Sequence, residues 1–168
     1  HATESLDRGC YLDYSLAKCT QLKSVHPVEM VKAPWIRPED LSLYEGMGFS
    51  GFKLAGREKG APWILRAVEA YAARKYLGKL NDLVIGLDGI DPFGEMPLYL
   101  DNTRLDGFID YFKKRDCRLG CEGCTHCPEW LERAASFGAD LKGYGKGIDR
   151  LLRQFTSGSF RTPLARPQ

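Results

Sequence analysis

The clearest periodic pattern of apolar residues lies in the middle of the chain. From Trp63 to Tyr76 apolar side chains recur every three or four residues, and charged side chains such as Arg66 and Glu69 fall between them. This spacing predicts an amphipathic helix. Pro62 suits the first turn of a helix and Gly78 suits its end, so we expect the helix to run between these two residues.

Two shorter apolar runs flank a second helical pattern. Residues 28–33 and 49–54 are apolar segments bounded by proline or glycine, and each predicts a β-strand. Between them, Pro38 followed by two carboxylates predicts the start of a helix that ends near Gly46. The resulting order of strand, helix, strand and helix is typical of βαβ units with parallel strands.

The remaining pattern predicts mostly helices. Residues 98–100 favour an extended segment, whereas 80–85, 105–112, 129–137 and 148–155 favour helices; the first thirty residues show no clear period. We therefore predict an α/β fold with partial (β/α) barrel-like units. Its predicted segments are a cysteine-containing lead (1–27), βαβ units ending a barrel-like sheet (28–97), a helical cysteine-cluster segment (98–155) and a loose tail (156–168).

Two predicted strands form neither a closed barrel nor a stable open sheet. A complete (β/α)₈ barrel takes roughly 250 residues, and this chain has 168. We therefore expect another chain, or an N-terminal region not included in this sequence, to supply the remaining barrel strands.

Composition narrows the class of protein. The chain is 43% apolar and 27% charged, which is typical of a globular domain. No apolar run approaches the roughly 18 residues of a membrane span, so we expect no membrane partner. The net charge of +2 does not support a nucleic-acid partner, although it leaves one open. The sequence begins without an apolar signal-peptide core, so we expect a cytoplasmic location.

Four of the six cysteines fall within eleven residues. They are Cys117, Cys121, Cys124 and Cys127, and Pro128 follows the last. The spacers of three, two and two residues are those of the bacterial ferredoxin run in another order, with the same closing Cys-Pro pair. Disulfides between such near neighbours would close only small loops, where the entropic gain is least. The run therefore favours a [4Fe–4S] cluster in a reducing compartment.

Other readings of the cysteines stay open. Zinc is the main alternative, although structural zinc sites usually join two separated Cys-x₂-Cys pairs. Cys10 and Cys19 are alternative candidates that could supply one or two of the ligands, or could serve as small buried side chains. His126 lies inside the run, and we expect it to support the ligands rather than to be one. Disulfides or free thiols are the third reading.

A further set of segments is informative in combination: 35–41, Tyr44-Glu45 with Gly48, 52–57, Ala70-Tyr71, 101–108 and the closing cysteine run. Together they resemble the later part of the collagenase-like U-thirty-two peptidase family, of the iron–sulfur-binding type. The resemblance covers roughly residues 10 to 135. It implies a TIM-barrel-like half preceding this region. It also implies either peptidase activity or a [4Fe–4S] cluster that serves oxygen-independent hydroxylation.

The loop after the second predicted strand holds the remaining candidates. Lys53 and Arg57 match, with Gly56, a lysine–glycine–arginine segment usual in that family, which implies a substrate-binding role for them; a solvated charged loop is the alternative. Position 55 is alanine where many members carry glutamate.

The cysteine run and the resemblance together lead to three expected functions. The leading one is a redox protein that is served by an electron donor. The second is a peptidase with a structural metal, and the third is a zinc-stapled interaction module. The catalytic residues stay unknown.

Overall fold

The computed structural model describes residues 10–115, 117 and 120–157, with the side chains of 10–13 outside that description. Its α-helices are α1 (Cys10–Val25), α2 (Val28–Lys32), α3 (Leu41–Gly46), α4 (Ala61–Ala73), α5 (His126–Ala134) and α6 (Leu141–Thr156). Two short strands, β1 (Leu98–Leu100) and β2 (Ala135–Phe137), pair as a two-stranded sheet. Short 3₁₀ helices occupy Pro38–Asp40, Leu80–Asp82, Asn102–Leu105 and Phe108–Lys113.

The chain forms two compact units that are interleaved in sequence. The first unit contains residues 1–30, 86–98 and 137–168, and the second contains 31–85 and 99–136. The predicted division into 1–27, 28–97, 98–155 and 156–168 runs along the chain and stays a prediction. Residues 1–9 of the predicted lead and 158–168 of the predicted tail lie outside the described residues.

The first unit is built on the packing of α1 against α6. Ile148, Leu151 and Phe155 of α6 are buried with Ala17 of α1. Thr20 and Ser24 continue the buried side of α1, and their hydroxyls donate to the carbonyls of Leu16 and Gln21 of the same helix. Because these hydroxyls are satisfied locally, the small polar side chains can be buried at a helix–helix contact.

The second unit is centred on α4 and on the buried side chain of Arg37. Ala67 and Ala70 of α4 are buried with Leu83, and Trp63 and Tyr71 pack beside them. The Tyr71 hydroxyl donates to the carbonyl of Ile36 at 2.6 Å, which ties α4 to the segment that precedes the 3₁₀ helix Pro38–Asp40.

Both strand predictions in the βαβ region were wrong. Residues 28–32 form the helix α2, and residues 49–54 lie in no helix or strand. The apolar residues Met30 and Val31 are fully or almost fully buried, so a short buried helix produces the same run of apolar letters as a strand. Whether this chain completes a barrel supplied elsewhere stays a prediction.

The helix predictions were confirmed at 38–46, 62–73, 129–134 and 148–155, whereas 80–85 and 105–112 contain only short 3₁₀ helices and 135–137, predicted as the end of a helix, is the strand β2. The helix begun by Pro38 ends at Gly46 as expected, whereas α4 ends at Ala73, because Arg74 adopts a left-handed conformation with φ of 53°. The extended segment at 98–100 is β1. Within the part of the chain described, no helix is both long and apolar enough to cross a membrane.

Candidate metal centre

The cysteine run in the second unit is a succession of tight turns. The amide of Gly120 donates to the carbonyl of Cys117 at 3.2 Å, and the amide of Cys124 donates to the carbonyl of Cys121 at 3.1 Å. Gly120 and Gly123 have φ of +98° and +67°, a backbone conformation in which a side chain would be strained. The two glycines therefore allow the repeated reversals that the run requires.

The other three thiols of the run lie within electrostatic range of Cys127. Burial raises the pKa of the Cys127 thiol, and the neighbouring charges of Cys124, Cys117 and Cys121 raise it further, while Lys32 lowers it. Cys127 lies in the first turn of α5, where the helix dipole favours negative charge. A metal ion bound to these cysteines would require their deprotonation and would neutralise the resulting negative charge.

Cys124 is held by donors from its surroundings. The Tyr111 hydroxyl and the Cys124 sulfur are 3.5 Å apart. A hydrogen bond from Tyr111 lowers the pKa of Cys124, and the backbone amide of His126 and the charge of Arg115 lower it further. These groups favour the thiolate, which is the form that binds a metal.

His126 is fixed between aromatic rings. Its ring stacks on Tyr111 with centroids 4.0 Å apart and on Phe108 with centroids 5.2 Å apart, and Trp130 and Phe112 meet it edge-on. Its Nε2 lies 3.2 Å from the carbonyl oxygen of Phe108, so that nitrogen is the donor to the carbonyl. This arrangement fits the predicted supporting role of His126 better than ligation.

Five described cysteines, Cys19, Cys117, Cys121, Cys124 and Cys127, are free of disulfides. Among the described residues, no three or more His, Cys, Asp and Glu side chains are grouped closely enough to hold a metal ion. The donor set of the run fits a thiolate-bound metal in chemistry, and its sulfurs would have to draw closer together on binding.

The other candidate ligands and binding residues lie elsewhere. Cys19 is exposed on α1 in the first unit, and the side chain of Cys10 lies outside the described residues, so their part as alternative ligands stays a prediction. Lys53 and Arg57 are exposed and form no ion pair with any described residue. Lys53 lines a cavity of about 510 Å³ in the second unit. Their substrate-binding role stays a prediction.

A buried polar network in the second unit was not foreseen. Arg37 donates from Nε and Nη2 to both carboxylate oxygens of Asp40 at 2.9 Å, and from Nη1 to the Asn102 carbonyl and to Asp106. Burial alone would lower the pKa of Arg37, but the hydrogen bonds to Asp40 and Asp106 raise it. The Asn102 amide in turn donates to Glu39.

A protein of Methanocaldococcus jannaschii is similar to most of this chain. The chain is 37% identical to it over 122 residues, which are 73% of the chain, and that protein is named as an uncharacterized protease. The chain spans 35% of the length of that relative. No protein-family model matches the chain, and no solved structure matches it.

Proposed function

We propose that this chain is the cluster-binding part of a longer redox protein and holds a [4Fe–4S] cluster through Cys117, Cys121, Cys124 and Cys127. The observation that supports the proposal is the pair of tight backbone turns, from Cys117 to Gly120 and from Cys121 to Cys124, which folds the run of cysteines back on itself. Four thiolates are the complete ligand set of such a cluster. The left-handed turns at Gly120 and Gly123 supply the curl that the spacing requires.

The residues around the run suit a site that carries negative charge. Lys32 and Arg115 lie within electrostatic range of Cys127 and Cys124 respectively. The Tyr111 hydroxyl and the amide of His126 donate to the Cys124 sulfur. Hydrogen bonds to a ligating sulfur stabilise the reduced form of a cluster, so these two donors would raise its reduction potential.

A bound [4Fe–4S] cluster would supply one-electron chemistry to the longer protein. The resemblance to iron–sulfur-binding members of the U-thirty-two family supports oxygen-independent hydroxylation, or a related redox modification, of a substrate held by another part of the protein. An electron donor is then required. Lys53, on the wall of the cavity in the second unit, and Arg57 are the proposed substrate contacts within this chain.

The test is metal and sulfide analysis of the full chain purified without oxygen. We expect about four irons and four acid-labile sulfides per chain, with a broad visible absorption band that dithionite bleaches. Cys124→Ser should lose iron and colour, whereas Cys19→Ser, which removes an exposed thiol of the first unit, should keep both. Zinc without sulfide would overturn the redox proposal and support the zinc-stapled module instead.

The name of the relative favours peptidase activity as a second candidate. That relative is called a protease, and the match covers 73% of this chain. In that case the cysteine run would hold a structural metal, and hydrolysis would depend on residues of the longer protein. Cleavage of casein or gelatin that survives removal of the metal would support this candidate. Absence of cleavage by the metal-loaded longer protein would contradict it.

A further inference from the structure

Two of the four thiols in the cysteine run lie at the start of the same helix. Cys124 and Cys127 are separated by Thr125 and His126, and α5 begins at His126. Cys127 is therefore in the first turn of α5, and Cys124 lies just before that turn. A Cys-x-x-Cys pair at the N-terminus of a helix is the arrangement in which the thiols of disulfide oxidoreductases react. The pair thus has the local arrangement of a redox-active dithiol.

The sulfur of Cys124 is directed towards α5 by its contacts. The Tyr111 hydroxyl lies 3.5 Å from this sulfur, and the backbone amide of His126 donates to it. That amide belongs to the first residue of α5, which is the end of the helix that also carries Cys127. Of the other three thiols, Cys124 has the largest effect on the pKa of Cys127 and Cys121 the smallest. This order agrees with a Cys124 sulfur turned towards Cys127, because interactions between charges weaken with distance.

The burial and spacing of the pair suit a bridge that opens and closes. Cys124 and Cys127 are half-buried free thiols, whereas Cys117 and Cys121 are exposed. A disulfide between Cys124 and Cys127 would close a loop of only four residues, where the entropic stabilisation of the fold is least. A bridge that adds little to stability is more easily reduced than a structural disulfide. The pair therefore suits reversible rather than permanent oxidation.

We propose that Cys124 and Cys127 form a redox-active dithiol, which glutathione disulfide converts to an intramolecular disulfide when the cysteine run holds no metal. In the oxidised form two of the four proposed cluster ligands are blocked, so the disulfide controls whether a cluster can be loaded. The exchange reaction is independent of the cluster, and only this consequence for loading rests on the proposed function.

The reaction proceeds by two successive thiol–disulfide exchanges. The thiolate of Cys124 attacks one sulfur of glutathione disulfide, which forms a mixed disulfide and releases the first glutathione. The thiolate of Cys127 then attacks the Cys124 sulfur and releases the second glutathione. The two protein thiols lose two electrons and two protons, and the glutathione disulfide gains them. Excess reduced glutathione drives the same steps in reverse.

The test uses the full chain, from which metal is removed with a chelator under reducing conditions. The chain is exposed to glutathione disulfide without oxygen, its remaining thiols are alkylated, and its peptides are identified by mass spectrometry. The expected product has a disulfide between Cys124 and Cys127, with Cys117 and Cys121 alkylated. A bridge between Cys121 and Cys124, or the absence of any intramolecular disulfide, would overturn the proposal.

Two variants test the roles of the two thiols. Cys127→Ser should stop at the mixed disulfide and accumulate roughly tenfold more glutathione on Cys124 than the unchanged chain, because no second thiol resolves it. Cys117→Ser is the matched control, since it removes an exposed thiol of the same run and should still form the disulfide. Equal amounts of mixed disulfide in Cys127→Ser and the unchanged chain would contradict the role of Cys127.

Reconstitution with ferrous iron and sulfide tests the consequence for loading. The reduced chain should gain the visible absorption band, and the oxidised chain should stay colourless until dithiothreitol opens the disulfide. Colour in the oxidised chain would overturn the control of loading. A reduced chain that stays colourless would instead overturn the proposed cluster, while the mapping of the disulfide would still decide whether the dithiol exists.

Discussion

The buried Arg37 allows a prediction whose magnitude follows from the contacts. The Arg37 side chain is 2% exposed, and its partner Asp40 is 9% exposed, so replacing Arg37 by methionine leaves a carboxylate buried without its two charged hydrogen bonds. Removing one member of a buried ion pair costs about 3–5 kcal/mol. Arg37→Met should therefore lower the free energy of unfolding of the second unit by about that amount.

Asp106 supplies the comparison for this prediction. It also accepts from Arg37 at 2.9 Å, but its side chain is 70% exposed. Water solvates this carboxylate when the contact is lost, so Asp106→Asn should cost less than about 1 kcal/mol. The double variant Arg37→Met/Asp40→Leu should be more stable than Arg37→Met alone, because it removes the buried charge that the single variant leaves uncompensated.

Tryptophan fluorescence during urea unfolding is a suitable assay. Trp35, Trp63 and Trp130 all belong to the second unit, so their signal reports the unit that contains Arg37. A cost of less than about 1 kcal/mol for Arg37→Met, or an equal cost for Asp106→Asn, would refute the reasoning from burial.

Three other variants test separate features. Gly145→Leu should lower the free energy of unfolding by about 1–3 kcal/mol through overpacking, because even a Cβ at Gly145 would lie 2.7 Å from the Ser24 hydroxyl. Lys146→Leu, at the exposed neighbouring position, should be tolerated. Equal urea midpoints for the two variants would contradict this. Burial raises the pKa of Tyr144 to about 12, so its contribution to stability should be complete below about pH 10 and lost as pH rises towards 12. Because the pKa values of Tyr71 and Tyr76 are also raised to about 12, urea unfolding of Tyr144→Phe at several pH values should show a smaller decline than the unchanged chain, and an equal decline would contradict this. Tyr111→Phe should lower the reduction potential of a bound cluster by removing a donor to a ligating sulfur; an unchanged potential in a redox titration would contradict that role.

The sequence predicted the elements that carry their own local signals. The proline at position 38, the glycine at 46 and the long apolar stripe of α4 are such signals, and the structure has helices at both places. Residues 28–33 were wrongly predicted as a strand, because a run of four or five mostly apolar residues does not distinguish a buried strand from a short buried helix.

The helix α1 went unrecognised for a different reason. Its buried side carries Ala17, Thr20 and Ser24, at helical spacing, rather than large apolar residues. Small side chains suit close packing against α6 at Gly145, which is buried. A hydrophobic period therefore could not reveal α1, because the contact depends on size and on locally satisfied hydroxyls.

The cysteine run could be recognised from the sequence but its surroundings could not, and its role as a metal site stays a prediction. The spacing of the cysteines is visible in the sequence, and in the structure Cys117, Cys121 and Cys124 lie within electrostatic range of Cys127. The contact of Tyr111 with Cys124 and the stacking of His126 join residues 13 to 18 positions apart. No spacing rule relates such residues, because the 3₁₀ helix Phe108–Lys113 positions them.

The interleaving of the two units has a consequence for synthesis of the chain on the ribosome. The first unit needs α1, which is made early, and α6, which is made last, while the whole of the second unit lies between residues 31 and 136. The second unit can therefore complete its contacts before α6, the helix that packs against α1, has been synthesised. No single cut in the chain would separate the two units, so each could be produced alone only by rejoining segments that are distant in the gene.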